Sequence, residues 1–271
     1  MNFDSSSILT SLRVHKIWQR NPERYWQIAR PIVNSGMQTI APSVAYGNDR
    51  MPAKGGLVIA SNHFGAIDPP LVAIHSKRTV YYMAKFELLK VPILGELLQH
   101  SGAFAVRRGE SDRNSIRLAR WLLAHGHTVG IFMEGTRQEF GYPGPGHPGA
   151  AMLAIQEGVP VIPCGLDSFQ WNIKTNRRTC CLVWGHPIDL SHLPRRSVGY
   201  REGANILEHE VIRLWRLAAQ ATADGFPDTL PDGTARTPHF TSSTAADDVN
   251  LEPWPDETWA EKPMGPVFKA R

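Results

Sequence analysis

The chain has 271 residues, of which 42% are hydrophobic, and Lys and Arg together exceed Asp and Glu by four. This composition excludes a wholly disordered chain, which would combine low hydrophobicity with a high net charge. Three cysteines are too few for a disulfide framework and indicate a reducing compartment. The sequence has no apolar run of about 18 residues and no secretory signal, so we expect a soluble or peripheral globular protein.

The charge is unevenly distributed along the chain. Residues 1–223 carry a net charge of +9, whereas residues 224–271 carry −5 and contain seven prolines. The basic part suits an anionic partner such as phosphate groups, a nucleotide-bearing cofactor or a lipid surface. We therefore predict an N-terminal amphipathic helix pair (1–42), an α/β domain (43–223) and an acidic, Pro-rich tail (224–271).

Two amphipathic helices are predicted between residues 5 and 40. Asn21, Pro22 and Glu23 give the second helix a cap, a proline in its first turn and an early acidic residue. Two arrangements remain open at this point. Either the pair packs on the core, or it lies in a membrane interface with basic side chains towards anionic headgroups. The apolar stripe of the second helix recurs every three or four positions at Trp26, Ala29, Val33, Met37 and Ile40.

From residue 43, short apolar strands alternate with helices. This pattern is typical of an α/β fold with a mostly parallel sheet flanked by helices, in which ligands bind at the carboxyl ends of the strands. Strands are predicted at Val44–Tyr46, Leu57–Ala60, Val80–Met83, Ala103–Val106, Val129–Met133, Val159–Pro163 and Thr179–Trp184. Helices are predicted at Pro69–Ser76, Phe86–Leu98 with a break near Pro92, Ser111–His125, Ala150–Glu157 and Ala204–Ala221.

The first chemical pattern follows the second predicted strand, where four residues separate His63 from Asp68. A turn around Gly65 can bring the two side chains together. The carboxylate would then bond one ring nitrogen and leave the other nitrogen basic. No serine or cysteine stands beside them as an obvious nucleophile, which favours direct activation of a substrate hydroxyl. In the alternative interpretation Asp68 only caps a helix and His63 has no catalytic role.

Three further patterns also follow predicted strands. Lys85–Gly95 leads to the pair Arg107-Arg108, whose guanidinium groups suit a phosphate or carboxylate. The segment 134–137 delivers Glu, Gly, Thr and Arg to a strand end, and the segment 159–163 places two prolines around a buried strand. Each pattern has a structural alternative: a solvated arginine pair, a Glu–Arg pair closing a turn, and the entry and exit of a strand.

Taken in order, the four patterns resemble the 1-acylglycerol-3-phosphate O-acyltransferases of glycerolipid synthesis, over roughly residues 40–190. The resemblance implies a glycerolipid-acyltransferase-like α/β fold in which His63 is the general base on the acceptor hydroxyl and Asp68 orients it. It implies that Arg108 and the loop from Glu134 to Arg137 bind the glycerol phosphate, and that the Pro163 strand helps to line the acyl or thioester side. The substrate-binding residues that it implies are Asn62, Lys85, Arg108, Glu134, Gly135, Thr136, Arg137 and Pro163.

The reaction implied is transfer of a fatty acyl group from acyl-CoA or acyl carrier protein to a lysophospholipid, with 1-acylglycerol-3-phosphate as the expected acceptor. The resemblance implies no cofactor beyond this thioester co-substrate, and a peripheral, cytoplasmic position on the inner face of the cell membrane. Two alternatives stay open: another lipid or glycolipid acceptor, or a catalytically silent lipid-binding protein on the same scaffold.

Other site types are not favoured by the sequence. The stretch Gly144–Gly149 has dinucleotide-like glycine spacing, but it contains two prolines and does not directly follow a strand. His125 and His127 have no Cys or carboxylate cluster at ligand spacing, so no metal site is predicted. Basic residues do not cluster with aromatic residues in one tract, so no nucleic-acid partner is expected.

Overall fold

The computed structural model describes residues 22–106, 113–172, 174 and 178–238. The strands are β1 (Ser43–Tyr46), β2 (Leu57–Ser61), β3 (Val80–Lys85), β4 (Ala103–Val106), β5 (Thr128–Phe132), β6 (Val161–Asp167), β7 (Cys180–Trp184) and β8 (Arg236–Thr237). The α-helices are α1 (Pro22–Ile40), α2 (Asp68–His75), α3 (Leu94–His100), α4 (Arg113–Ala124), α5 (Gly149–Glu157) and α6 (Ser197–Ala223). Short 3-10 turns lie at Asn48–Arg50 and Leu88–Lys90. The first predicted helix lies outside the described residues.

The strands form one sheet in the order β4-β3-β5-β2-β6-β7-β1-β8. The five strands from β4 to β6 in this order are mutually parallel, as each pair of neighbours shows. β7 runs antiparallel to β6, β1 is parallel to β7, and β8 is antiparallel to β1. The prediction of a mostly parallel sheet flanked by helices is confirmed.

Helices cover both faces of the sheet, which explains why the first four residues of β2 are all apolar. Val58 and Ala60 belong to the hydrophobic cluster that contains residues of α4, α5 and α6. Leu57 and Ile59 belong to the cluster on the other face, which contains residues of α1 and α2. All four side chains are fully buried, as expected for a central parallel strand that is covered on both sides.

The apolar stripe of α1 packs against the body of the protein. Trp26 is only 4% exposed, and its Nε1 donates a hydrogen bond to the carbonyl of Ser101 at 3.0 Å. Arg30 is fully buried and donates to two backbone carbonyls at the carboxyl end of α2. The apolar side chains Ile28 and Ile32, by contrast, are 70% and 74% exposed. Of the two arrangements that the sequence left open, the structure favours packing of this stripe on the core.

The beginning of the acidic tail also lies on the body. β8 pairs with β1, the hydroxyl of Tyr46 donates to the carbonyl of Pro227 at 2.7 Å, and Leu230 is 3% exposed. Residues from 239 onward lie outside the described part of the chain. Within residues 22–238, as far as they are described, no helix combines the length and apolar content needed to cross a bilayer.

Candidate active site

The site lies where the central strand β2 ends. His63 follows β2, and the neighbouring strands β5 and β6 run parallel to it on either side. The carboxyl ends of these three strands therefore meet at one edge of the sheet, where open α/β sheets bind their ligands. Glu134 follows β5 and Ser168 follows β6, so each neighbouring strand delivers a polar side chain to the surroundings of His63.

His63 and Asp68 form a buried, hydrogen-bonded pair. Nδ1 of His63 lies 2.8 Å from Oδ2 of Asp68, and the two residues are 6% and 0% exposed. The same carboxylate oxygen accepts the backbone N–H groups of Phe64 at 2.6 Å and Gly65 at 2.8 Å. A carboxylate bonded at Nδ1 fixes the imidazole and leaves Nε2 as the basic nitrogen. The structure thus brings the two predicted side chains together.

The turn between them has the geometry that this contact needs. The amide of Asp68 donates to the carbonyl of Gly65 at 3.3 Å, which closes the loop before α2. Asp68 is the first residue of α2, and its carboxylate bonds to loop amides that precede the helix. The cap residue of α2 is Ile67, which makes no side-chain capping bond. Asp68 therefore holds the His63 loop rather than acting as the cap of this helix.

The segment after β5 positions His63 from the other side. The His63 amide donates to Oε1 of Glu134 at 3.3 Å, and the His63 carbonyl accepts the Gln138 amide at 2.8 Å. The ring of Phe132 stacks on the imidazole with centroids 4.1 Å apart, and Tyr82 stacks on Phe132 at 5.7 Å. These contacts fix both the backbone and the ring plane of His63.

Glu134 is a buried carboxyl group with a shifted pKa. It is 4% exposed, and burial raises its pKa to about 7, although backbone hydrogen bonds, including that from His63, act in the opposite direction. Its carboxylate accepts hydrogen bonds from the backbone of His63 and of Gly144, whereas the resemblance implied a contact with the glycerol phosphate. The substrate contact of Glu134 therefore stays a prediction.

Other predicted binding residues lie on the surface at the same edge. Lys85 ends β3 and is exposed, as are Gly135, Thr136 and Arg137 in the loop after β5. Gly135 has a φ of 67°, a left-handed conformation that favours glycine, and an added Cβ would lie 3.3 Å from the ring of His147. Lys85 and Arg137 are cations near the ends of adjacent parallel strands. Arg108 lies outside the described residues.

Two predicted binding residues are buried, one directly after β2 and one within β6. Asn62 is fully buried; its Nδ2 donates to the carbonyl of Leu166 at 2.9 Å, and its Oδ1 accepts the Leu166 amide at 2.8 Å. Pro163 is buried in β6 opposite Ala60 of β2. Asn62 thus joins the end of β2 to the end of β6, and Pro163 lies in the paired part of β6. Their contact with substrate remains a prediction.

Sequence reasoning missed one polar contact of the pair. The Ser168 hydroxyl donates to Oδ1 of Asp68 at 2.5 Å, and Ser168 is 6% exposed. The available signal was weak: a hydroxyl residue directly after a predicted strand. One hundred residues separate Ser168 from Asp68, and the strand order that joins them cannot be read from local patterns.

The comparisons with known proteins agree with this architecture. The family model described as Acyltransferase matches residues 43–167. A 1-acyl-sn-glycerol-3-phosphate acyltransferase from Bacillus subtilis is 32% identical over 159 residues, which cover 56% of this chain and 78% of that protein. The chain belongs to the acyltransferase family. A protein of the same name from Borreliella burgdorferi is 27% identical over 156 residues. The aligned part covers 54% of this acyltransferase and 60% of that relative.

A solved structure shares the fold of this acyltransferase. The 1-acyl-sn-glycerophosphate (LPA) acyltransferase PlsC from Thermotoga maritima aligns with a TM-score of 0.55 and 20% identity. The alignment covers 76% of this chain and 95% of that one. The resemblance stated from sequence is confirmed at the level of family and fold, and with it the prediction of an O-acyltransferase.

Proposed function

We propose that this acyltransferase moves a fatty acyl group from an acyl thioester, either acyl-CoA or acyl carrier protein, to the free hydroxyl of 1-acylglycerol-3-phosphate. The observation that carries the proposal is the buried 2.8 Å contact between His63 and Asp68 at the centre of the carboxyl edge. It is supported by the relatives from Bacillus subtilis and Borreliella burgdorferi, which bear the name 1-acyl-sn-glycerol-3-phosphate acyltransferase.

In the proposed reaction, Nε2 of His63 accepts the proton of the acceptor hydroxyl as its oxygen attacks the thioester carbonyl. Asp68 accepts the Nδ1 hydrogen bond and stabilises the imidazolium that forms. The tetrahedral intermediate then collapses, so that the new ester C–O bond remains and the C–S bond breaks. The thiolate takes the proton from His63 and leaves as the free thiol. General-base catalysis of this kind contributes about 10²- to 10⁴-fold.

The acceptor phosphate would bind to the exposed cations at the edge. Lys85 and Arg137 lie near the ends of adjacent strands, and the resemblance adds Arg108. A guanidinium group can bond two phosphate oxygens at once, which gives orientation as well as charge. In this arrangement Glu134 acts inward on the His63 backbone, while Arg137 faces the anionic substrate. The thioester already activates the acyl group, so the proposed step needs no cofactor or metal.

We propose peripheral binding to the inner face of the cell membrane, because acceptor and product carry acyl chains. Its support is an exposed apolar segment that follows β3 on the same edge as the site. Ile93 is 85% exposed and has a φ of 65°, a conformation that β-branched residues rarely adopt. The exposed aliphatic residues of this segment form what we call the 88–97 surface. They are Leu88, Val91, Ile93, Leu94 and Leu97.

A thiol-release assay with acyl-CoA tests the proposal. Purified protein is given 1-acylglycerol-3-phosphate, other lysophospholipids, a glycolipid or no acceptor. We expect release that depends on 1-acylglycerol-3-phosphate and is lost in His63→Ala. His209→Ala, a change of an exposed histidine on α6, is the matched control and should keep full activity.

Each other outcome overturns a defined part of the proposal. Thiol release only with a different acceptor would show that the enzyme recognises another headgroup than that of 1-acylglycerol-3-phosphate. Release without any acceptor would indicate a hydrolase. Binding of the donor without thiol release from either acyl-CoA or acyl carrier protein, with every acceptor present, would indicate the silent lipid-binding protein.

A further inference from the structure

The two oxygens of the Asp68 carboxylate have different partners. Oδ2 is bonded to His63 and to the amides of Phe64 and Gly65, all within five residues of Asp68. Oδ1 accepts the hydroxyl of Ser168 at 2.5 Å, from the end of β6. Ser168 thus connects the catalytic pair to a strand that is distant in sequence.

We propose that Ser168 is a positioning residue of the acyl transfer, and that its hydroxyl fixes the rotation of the Asp68 carboxylate and thereby the tautomer of His63. The inference rests on the proposed function. A carboxylate turns about a single bond, so donors on Oδ2 alone leave its plane free to tilt. A donor on Oδ1 fixes that plane and keeps a lone pair of Oδ2 directed at Nδ1.

The chemistry of the two groups requires this direction of bonding. A carboxylate only accepts hydrogen bonds, so the single O–H of Ser168 must donate to Asp68. Short bonds from a hydroxyl to a carboxylate belong to the stronger, charge-assisted class. Because the one donor of Ser168 is used here, its hydroxyl has no proton left to donate to substrate. This is why we assign it to positioning rather than to direct catalysis.

The backbone around Ser168 is itself held in place. The Ser168 carbonyl accepts the amide of Trp171 at 3.0 Å, which closes a turn after β6. Two residues earlier, the backbone of Leu166 makes both hydrogen bonds with Asn62, next to His63. The end of β6 is therefore fixed relative to the His63 loop, so a hydroxyl at position 168 has a defined position.

Other ionisable groups around Asp68 affect how a pH profile is interpreted. Burial raises the pKa of Glu134 to about 7, within the range where an imidazole titrates. Burial also raises the pKa values of the tyrosine and the thiols near Asp68, which therefore stay neutral at physiological pH. Among the described residues, the neighbours meant here are Glu134, Tyr82, Cys164 and Cys180. The pH measurements therefore compare Ser168→Ala with the wild-type protein, because both carry Glu134 and its titration affects the two profiles alike.

The first test compares three variants of Ser168 with a matched control. Loss of a hydrogen bond to a charged group corresponds to a change of about 10- to 100-fold in an equilibrium or rate constant. Ser168→Ala should therefore lower kcat by about that factor. Both KM values should stay within about twofold. Ser168→Cys keeps the shape with a weak S–H donor and should resemble Ala, whereas Ser168→Thr keeps the hydroxyl and should recover most of kcat.

Ser191→Ala is the matched control. The Ser191 hydroxyl donates to Oδ2 of Asp189 at 3.0 Å on the exposed surface, so this change removes the same kind of bond away from the site. It should leave kcat unchanged. Thermal melting of every variant separates a loss of positioning from a loss of folding. An unchanged kcat in both Ser168→Ala and Ser168→Cys overturns the inference.

The second test measures His63 directly and does not need activity. Imidazole ¹⁵N NMR of the wild-type protein should show one neutral tautomer, with the proton on Nδ1. Ser168→Ala should give averaged ¹⁵N shifts from two tautomers, and Ser168→Thr should restore the single tautomer. The acid limb of the pH–rate profile should move to higher pH in Ser168→Ala. Without the Ser168 hydrogen bond, the Asp68 carboxylate keeps more negative charge towards His63 and stabilises the imidazolium more strongly.

The two proposals fail differently. If the wild-type protein acylates no lysophospholipid but the tautomer depends on the Ser168 hydroxyl, the proposed function is wrong and the positioning role holds. If acylation of 1-acylglycerol-3-phosphate is found but the His63 ¹⁵N shifts of Ser168→Ala equal those of wild type, the positioning role is wrong.

Discussion

Oε1 of Glu23 lies 3.0 Å from Nδ1 of His127, and this buried pair joins the first turn of α1 to the start of β5. The hydroxyl of Tyr81 donates to the other oxygen of the same carboxylate at 2.5 Å. Burial acts to raise the pKa of Glu23, but the bonds and charge of His127 and the Tyr81 bond outweigh it, so this pKa is lowered. The Glu23 carboxylate therefore anchors α1 to the body through Tyr81 of β3 and His127, the residue before β5.

The lowered pKa of Glu23 predicts a pH-dependent contribution to stability. A carboxyl group with a lowered folded-state pKa stabilises the protein above its unfolded pKa, and that contribution is lost as pH falls through the folded value. Glu23→Gln should reduce the free energy of unfolding by about 1–3 kcal/mol at pH 7. The difference from wild type should shrink as the pH falls below about 4.5. Urea unfolding at several pH values measures this.

Glu87→Gln is the matched control for that experiment, because Glu87 is exposed. Its unfolding free energy should follow wild type at every pH. If Glu23→Gln also follows wild type, the carboxylate does not anchor α1.

The buried stripe of α1 predicts that its substitution destabilises the protein. Trp26→Ala should cost about 3–5 kcal/mol, because it removes a large buried side chain. Ile28→Glu, on the exposed side of the same helix, should change stability by less than about 0.5 kcal/mol. Denaturant unfolding distinguishes the two variants. Unchanged stability of Trp26→Ala together with its release from vesicles would show instead that the stripe faces a membrane.

The strands could be predicted because a buried parallel strand has a local signature. The first four residues of β2 are apolar because the strand is covered on both faces, and the same reason explains the buried apolar residues of β5 and β6. The orientation of α1 could not be predicted, since its apolar stripe suits a protein core and a bilayer equally. The contacts that decide it are made by Glu23 and Arg30, two charged residues whose burial the hydrophobic pattern does not indicate.

The part of the candidate site that depends on local sequence could also be predicted. His63 and Asp68 are five residues apart, so one turn around Gly65 suffices to join them. Ser168 reaches the same carboxylate only because β6 lies beside β2, and this neighbour relationship depends on the whole sheet. His127 appeared in sequence as half of a weak metal pattern. In the fold its Nδ1 bonds Glu23.

The Asp68 contacts predict a large catalytic effect of Asp68→Asn. The amide nitrogen would face Nδ1–H and two backbone N–H groups, so either these bonds are lost or the side chain turns. The neutral amide also stabilises the imidazolium less. We expect kcat for thiol release to fall by about 10²- to 10⁴-fold. Asp189→Asn, which changes an exposed carboxylate, is the control and should keep the wild-type kcat. A residual rate above about a tenth would contradict the proposed role of Asp68.

The exposed cations predict a selective effect on the acceptor. Arg137→Ala should raise the KM for 1-acylglycerol-3-phosphate about tenfold and leave the KM for acyl-CoA within about twofold, since a bond to a charged group is lost. Arg137→Lys should recover only part of this, because lysine lacks the planar fork. Arg195→Ala, at another exposed arginine, is the control. Steady-state kinetics with each substrate varied provides the test, and an unchanged acceptor KM would exclude Arg137 from phosphate binding.

The last prediction concerns the 88–97 surface, which we propose as the face that meets the membrane. Ile93 and Leu97 are 85% and 51% exposed, and Lys90 lies 4.4 Å above the ring of Phe86 in the same segment. Burial of apolar side chains at a headgroup boundary, supported by basic residues, should give binding that requires anionic lipid and weakens with salt. Ile93→Glu combined with Leu97→Glu should therefore reduce co-sedimentation with phosphatidylglycerol vesicles by at least about tenfold.

Because both side chains are exposed, the double variant should keep its melting temperature, and its activity on a short-chain, water-soluble acceptor should remain. Ile206→Glu changes a 37% exposed residue on α6 and should bind vesicles like wild type. Equal vesicle binding by the wild-type protein and the double variant would place the membrane contact elsewhere on the chain. Loss of activity on the soluble acceptor as well would show that the segment supports the site rather than the membrane contact.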